Sequence, residues 1–513
     1  MALLEVVAGV WRAARLRPPK RWPTGTVEVE AARRLADAER AAGEAPDGCA
    51  WLDERTVGDV DLPLVFRAID RTVSPTGAQV LWRMLAAPAQ RLDVLHDRER
   101  RLARLADPGR RACVQAALGG QPARDALHLP RLLWEPPPAP LEARRFQAML
   151  ALVVGLAALA LVWPPLIAAA IVAVMINVWI DDWTSTRHAP QSHALGVLAR
   201  ALDAAERIAR GAWPDAEIAA DLAALAPLRG RIRWLTAADP MGLVDFVRAG
   251  FLVRLLLLDR ALAAIERDRA RLRRIVRWLG ELDALAGIAA LRAERPDARV
   301  PALAATSRAI AARDLVHPAI AGAIGNDVAL TAGLLITGSN MSGKSTFLRT
   351  VAVNAICAQA IHTTFGAWRA SLFRVFAVMR IADATELGMS TYAVEVAALG
   401  QLVAEAGRAA PALFVIDEPF SGTNPALRVP IAVAVLDHLG ARDLPIAATH
   451  DLDVAAQVAP TFTRGYFTEP EDGQFDRKLR PGVAPTTNAL ALLVRAGYPD
   501  EILAAIDRRI RAA

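Results

Sequence analysis

Three short runs in the last third of the 513-residue chain carry the residue types needed to handle a polyphosphate. Gly338-Ser339-Asn340-Met341-Ser342-Gly343-Lys344-Ser345-Thr346 has the spacing G-x-x-x-x-G-K-[ST]. Its glycines let backbone N–H groups curl around phosphate oxygens, and a helix opening at Thr346 adds positive potential. Lys344 is placed to reach β- and γ-phosphates, and Ser345 to bind Mg²⁺. Lys344 is also one of three lysines in a chain whose positive charge is nearly all arginine. Some seventy residues on, Leu413-Phe-Val-Ile416 ends in Asp417-Glu418. In that pairing Asp417 polarises the metal shell, and Glu418 positions or deprotonates the attacking water. Ala447-Ala-Thr449-His450-Asp451 closes another apolar run, where an imidazole can sense the γ-phosphate. A lone histidine is more often structural, but the two other runs reverse that balance.

Groups so far apart in sequence meet only if a sheet brings them together. Gly333–Thr337, Phe373–Val378, Ala412–Ile416 and Pro445–Ala448 are short apolar runs alternating with helical stretches. They predict the strands of a nucleotide-binding α/β sheet from about residue 306. The apolar fraction is 54%, much of it alanine, and aromatics are 5%. These values exclude global disorder and disfavour a strand-rich sandwich. Cys49, Cys113 and Cys357 lie too far apart for a metal motif or a disulfide framework. The start MALLEVVAGVW does not read as a secretory signal. A net charge of +6 from scattered arginine is weak evidence for nucleic acid.

The expected organisation is a helical and basic segment over 1–50 and a first helical lever part over 51–140. An apolar, transmembrane two-helix hairpin follows over 141–185. A second lever part covers 186–305, and an α/β P-loop ATPase domain covers 306–513. From Phe146 to Ile180 no residue is charged, and Trp163-Pro164-Pro165 interrupts the run. Two slightly short spans hinged there fit a tight or shallow hairpin. Arg144, Arg145 and Arg187 flank it, which puts both ends in the cytoplasm, at a bacterial-type inner membrane. The alternative is a buried helical hairpin. Residues 260–292 predict a long charged helix whose stripe Leu272, Ile275, Leu279, Leu282 and Leu285 faces a partner helix. Arg267, Arg269, Arg271, Arg273, Arg274 and Arg277 form either a solvated arm or a phosphate-contacting surface.

In order along the chain, these residues resemble the ATPase domain of the MutS family. TGSNMSGKSTFLR resembles that family's phosphate loop, and Asp383 with Gly388-Met-Ser390-Thr391-Tyr392-Ala-Val-Glu395 resembles its D…G-x-STF-x-x-E element. VIDEPFSGTN (415–424) and ATHD (448–451) resemble the stretches that follow, and His317-Pro318 with Asn326-Asp327 the lead-in. Residues 479–499 resemble the closing segment, and Asp70, Arg71, Thr72 and Gly77 loosely resemble the start of the family's lever. The resemblance implies ATP with Mg²⁺ and a homodimer in which Ser390 and Thr391 of one copy complete the other copy's site. It further implies clamp-like lever motion, binding of DNA and of mismatched DNA, and ATP-dependent DNA damage sensing. Only about 50 residues precede the lever-like stretch, so the expected form lacks the mismatch-reading domain and is membrane-associated. The competing reading is an ATP-switched clamp at the membrane acting on an unknown protein partner. An ABC-type transporter is disfavoured, because no LSGGQ signature occurs.

Overall fold

Strand β5 (Leu334–Thr337) is buried at every position, and it pairs in parallel with β10 (Leu444–Thr449), which is equally buried. Continuous apolar runs of this kind are what a parallel sheet covered on both faces requires. The computed structural model describes residues 28–119, 128–136, 143–236, 243–304, 308–339, 342–379, 391–468, 476–484 and 497–512. By internal contacts the chain divides into two units. The first is 1–45, 70–83 and 101–290; the second is 46–69, 84–100 and 291–513. The stretch 51–140 is therefore shared between the units.

The second unit is built on a six-stranded sheet. The other strands are β1 (Ala298–Arg299), β2 (Ala302–Ala304), β3 (Ile310–Leu315), β4 (Asn326–Leu330), β6 (Thr364–Phe365), β7 (Ala367–Ser371), β8 (Arg374–Val378), β9 (Ala412–Asp417), β11 (Thr463–Phe467) and β12 (Leu479–Pro481). The large sheet runs β12-β11-β5-β10-β9-β8, with only β12 antiparallel to its neighbour. A four-stranded sheet, β2-β7-β3-β4, and the pair β1-β6 accompany it. Phe414, Ile416, Leu399, Leu436 and Ala447 form the core on one side of the large sheet. Edge strand β8 is finished by the short helix Glu54–Asp59. The Thr56 hydroxyl oxygen accepts the Ala377 N–H at 2.9 Å, and Asp59 accepts that of Met379 at 2.9 Å. Free edge amides are thus satisfied within the chain.

The first unit is helical. On the long helix Arg269–Glu294, Leu272, Ile275, Leu279, Leu282 and Leu285 are all buried, as their spacing predicts. At Gly280 a Cβ would stand 2.4 Å from Val80 Cγ2, so only glycine allows this approach to the helix Pro75–Ala86. One turn on, the wholly buried Asp283 accepts the Val73 N–H at 3.1 Å, and the N–H and hydroxyl of Ser74 at 2.8 and 2.6 Å. Burial pushes this carboxyl up to about 7 despite those donors.

The arginine face of the long helix, open in the sequence between a solvated arm and a phosphate-contacting surface, is charge-balanced. Arg267 and Arg271 pair with Asp268, and Arg269 with Glu266. Arg273 and Arg277 pair with Glu44, Arg277 also with Glu39, and Arg274 with Asp221 and Glu217. Each guanidinium already has a carboxylate neighbour, so the face is not an open cationic surface.

The uncharged run forms two helices, Ala143–Ala160 and Leu166–Arg187, joined by a turn at Trp163-Pro164-Pro165. The sequence predicts two spans, and here the structure differs. Among the described residues only Leu166–Arg187 is long and apolar enough to cross a membrane, and Arg145–Ala160 is shorter. The longer helix also buries a partly polar stripe, Ala173, Asn177, Asp181 and Thr184. Asn177 donates to the Gly250 carbonyl at 2.9 Å, and Arg254 pairs with Asp181 at 2.5 Å. The lower half of that helix is therefore part of the helical unit rather than a lipid-facing cylinder.

Candidate nucleotide site

The register of the sheet brings the three runs together. Thr449 at the end of β10 lies opposite Thr337 at the end of β5, and Ala448 lies opposite Asp417 at the end of β9. The loop after β5, the Asp417-Glu418 pair after β9 and His450 after β10 thus leave the carboxyl edge of three adjacent parallel strands. Open α/β sheets place their ligand sites at this edge.

Gly338 and Gly343 adopt φ of 142° and 108°, in the region that favours glycine. Gly343 precedes the helix Lys344–Ala360, and the first N–H groups of a helix, which have no partner within it, suit an anion. The Lys344 side chain is buried. Its ammonium donates to the carbonyls of Gly338 at 2.6 Å and Ser339 at 3.0 Å, and stands 3.5 Å from Glu418 Oε1. His450 Nδ1 lies 2.8 Å from Glu418 Oε2. Ser342 donates its hydroxyl to the Ser339 carbonyl at 2.8 Å, and the Thr346 carbonyl accepts from Thr350 at 2.7 Å. Asn340, Met341 and Ser390 lie outside the described residues. Thr391 begins the helix Thr391–Glu405, and its side chain lies outside them too.

Asp417 tests the fit of a hard cation. Burial raises its carboxyl above the usual range, the Ser345 hydroxyl bonds to it and pulls it down, and the Glu418 charge raises it again. Asp417 Oδ1 and Glu418 Oε1 are buried and have no hydrogen-bond partner among the described residues. The orphaned Asp417 oxygen beside the Ser345 hydroxyl makes a hard-oxygen donor pair that suits Mg²⁺.

Several contributors are less obvious in the sequence. Glu418 itself has φ of 52° and Phe420 of 60°, a backbone cost of about 1–2 kcal/mol each. The buried Glu395 holds this bend, accepting the N–H of Ser421 at 3.0 Å and of Gly422 at 3.2 Å. Beside Gly343 and Thr346 opens a cavity of about 210 Å³, lined by His317, Asn326, Phe347, Phe467 and Arg477 among others. The rings of Phe347 and Phe467 are 5.8 Å apart. Burial and the Arg349 charge lower His317 to about 4, so its ring is neutral near pH 7. Of the lining residues, His317 and Asn326 belong to the lead-in noted in the sequence, and Phe467 and Arg477 carry no such signal.

Residues 334–512 match the family described as MutS domain V. A "DNA mismatch repair protein MutS 2" of Haloarcula marismortui is 35% identical over 33% of this chain and 19% of its own length. The "DNA mismatch repair protein MutS" of Sorangium cellulosum is 32% identical over 48% of this chain and 29% of its own. That of Chloroflexus aurantiacus is 30% identical over 45% and 26%. The chain thus spans less than a third of the length of these relatives. Residues 334–512, about a third of the chain, match MutS domain V, a P-loop ATPase domain, and it is over this part that the chain is similar to MutS-family proteins.

Proposed function

We propose that this protein hydrolyses Mg-ATP at sites shared between two copies, couples nucleotide state to movement of its helical unit, and acts on DNA while held at a membrane surface. The meeting of Lys344, Glu418 and His450 at one strand edge carries the hydrolytic reading. Lys344 exchanges its Glu418 neighbour for the β- and γ-phosphates. Ser345 and Asp417 hold Mg²⁺, which when bound neutralises phosphate charge. Glu418 takes the proton of the attacking water, and His450 orients that carboxylate and reads the γ-phosphate. The cavity of His317, Phe347 and Phe467 takes the base. Ser390 and Thr391 of a second copy close the site over the γ-phosphate.

The mismatch-repair names of the relatives support the DNA role. The paired arginines of the long helix favour a second reading, in which the moving helical unit acts on a protein partner. The exposed apolar residues of 146–180 support membrane association.

Mixing tests the shared site. Lys344→Ala and Ser390→Ala copies are each expected to be inactive. Together they form one site with both defects and one with neither, so part of the turnover returns. Heterodimers without recovered turnover would mean self-contained sites. DNA-stimulated turnover that fades with salt supports the first reading, and indifference to DNA at low salt supports the second.

A further inference from the structure

We propose that the tip of the apolar helix pair is a monotopic anchor that enters one leaflet of a phospholipid bilayer and does not cross it. This rests on the membrane reading above and fixes its geometry. Val153 on the first helix and Ala173 on the second are buried, and no residue from Val154 to Val172 is buried. Exposure peaks at the turn, where Leu161 is 88% and Val162 84% exposed, with Trp163 beside them. An apolar tip of this kind is the reverse of a soluble helix hairpin, whose turn is polar.

The reach of the tip follows from helix rise. Seven residues separate Val153 from Ala160, and about seven separate Leu166 from Ala173, so the part of each arm without a buried residue is roughly 10 Å long. A hydrocarbon core is about 30 Å thick, and one leaflet supplies about half of that. A crossing would need the arms to be lengthened about threefold. That length would have to come from the region where Asn177 donates to Gly250 and Asp181 pairs with Arg254. At Gly250 a Cβ would already be 2.9 Å from Val174, so the helices there are in close contact. The tip also holds no charged or strongly polar side chain to settle among far-side headgroups.

The other end of the pair matches a near-side interface. Trp179 and Trp183 are exposed, and the Arg187 guanidinium lies 5.6 Å from the Trp183 ring centroid. Arg145 lies in the first turn of the first helix. Trp179, Trp183 and Arg187 follow Ala173 by six to fourteen positions, so they stand on the near side of the tip, where the arginines favour an anionic leaflet.

The test uses the full chain with Cys49→Ser and Cys113→Ser, and Trp163→Cys labelled with an environment-sensitive fluorophore. Position 163 is exposed, so the label does not disturb a core. The protein is added to vesicles of mixed phosphatidylcholine and phosphatidylglycerol. The expected result is loss of emission with lipids brominated along the acyl chain, and no loss when a water-soluble quencher is sealed inside the vesicles. Quenching from inside would overturn the monotopic anchor while keeping the membrane reading. Protein left in the supernatant, with no response to brominated lipid, would overturn the membrane reading itself.

Discussion

His450 holds Glu418 twice: its Nδ1 lies 2.8 Å from Oε2, and its backbone N–H donates to the same oxygen at 3.1 Å. Oε1 has no hydrogen bond among the described residues and faces Lys344 at 3.5 Å. One oxygen is therefore fixed and the other is available to a water. Glu418→Gln keeps the shape and removes the basicity. Nucleotide binding is expected to persist while single-turnover hydrolysis falls by about 10²- to 10⁴-fold. Wild-type turnover would remove Glu418 from the base role. His450→Ala loses only one of the two contacts, so a smaller loss is expected.

Glu395 is a positioning residue for that carboxylate. Glu395→Ala removes the acceptor for the Ser421 and Gly422 amides and frees the bend that sets Glu418. The expected outcome is lower kcat with ATP affinity within a few-fold of wild type. Equal losses in both would point to collapse of the loop instead.

The site was far more legible in the sequence than its supports. Gly338, Lys344, Asp417 and His450 sit in short contiguous runs whose spacing is set by phosphate geometry, so local pattern is enough. Glu395 acts 26 residues from Ser421, and Phe467 lies 120 residues from its ring partner Phe347. No local pattern encodes such pairings, which depend on strand order. The arginines of the long helix left two readings open for a related reason. Their spacing shows a charged face, but their partners Glu39, Glu44, Glu217 and Asp221 come from distant segments. Absence of charge in 146–180 likewise reveals nothing of the stripe at Ala173, Asn177, Asp181 and Thr184, which is buried only by its neighbours.

Asp283 gives a pH signature. Its folded-state value, about 7, lies above the ordinary 3.8, so the folded protein binds the proton more tightly. Its stabilising contribution is present below about pH 4 and is lost as pH rises toward 7. The slope is at most about 1.4 kcal/mol per unit. In Asp283→Asn that slope should vanish. Denaturant midpoints at pH 5, 6 and 7 read the difference between the two proteins, and parallel curves would refute it.

Glu99 has the opposite sign. Burial alone would raise it, but bonds from His362 at 2.8 Å and Arg292 at 2.8 and 3.0 Å prevail and hold it at about 2. Its contribution is present above 4.5 and fades as pH falls toward 2. Glu99→Gln is expected to cost about 1–3 kcal/mol near pH 7, where it leaves Arg292 without its carboxylate. The cost should shrink on acidification. Thermal unfolding at pH 7 and pH 3.5 checks both statements, and equal losses at the two pH values would overturn them.

Ser74 and Asp283 are 209 positions apart, and this separation sets a timetable. A ribosome adding about 5–20 residues per second exposes Ser74 roughly 10–40 seconds before its acceptor exists. During that interval the Ser74 hydroxyl can still cap its own helix by accepting the Gly77 N–H at 3.0 Å. The uncharged run 146–180 emerges within the same window, before Gly250 and Arg254 are there to receive Asn177 and Asp181. Vectorial synthesis therefore presents an unsheltered greasy segment for many seconds. A membrane or a chaperone close to the exit tunnel would decide whether the nascent chain aggregates before its last contacts can form.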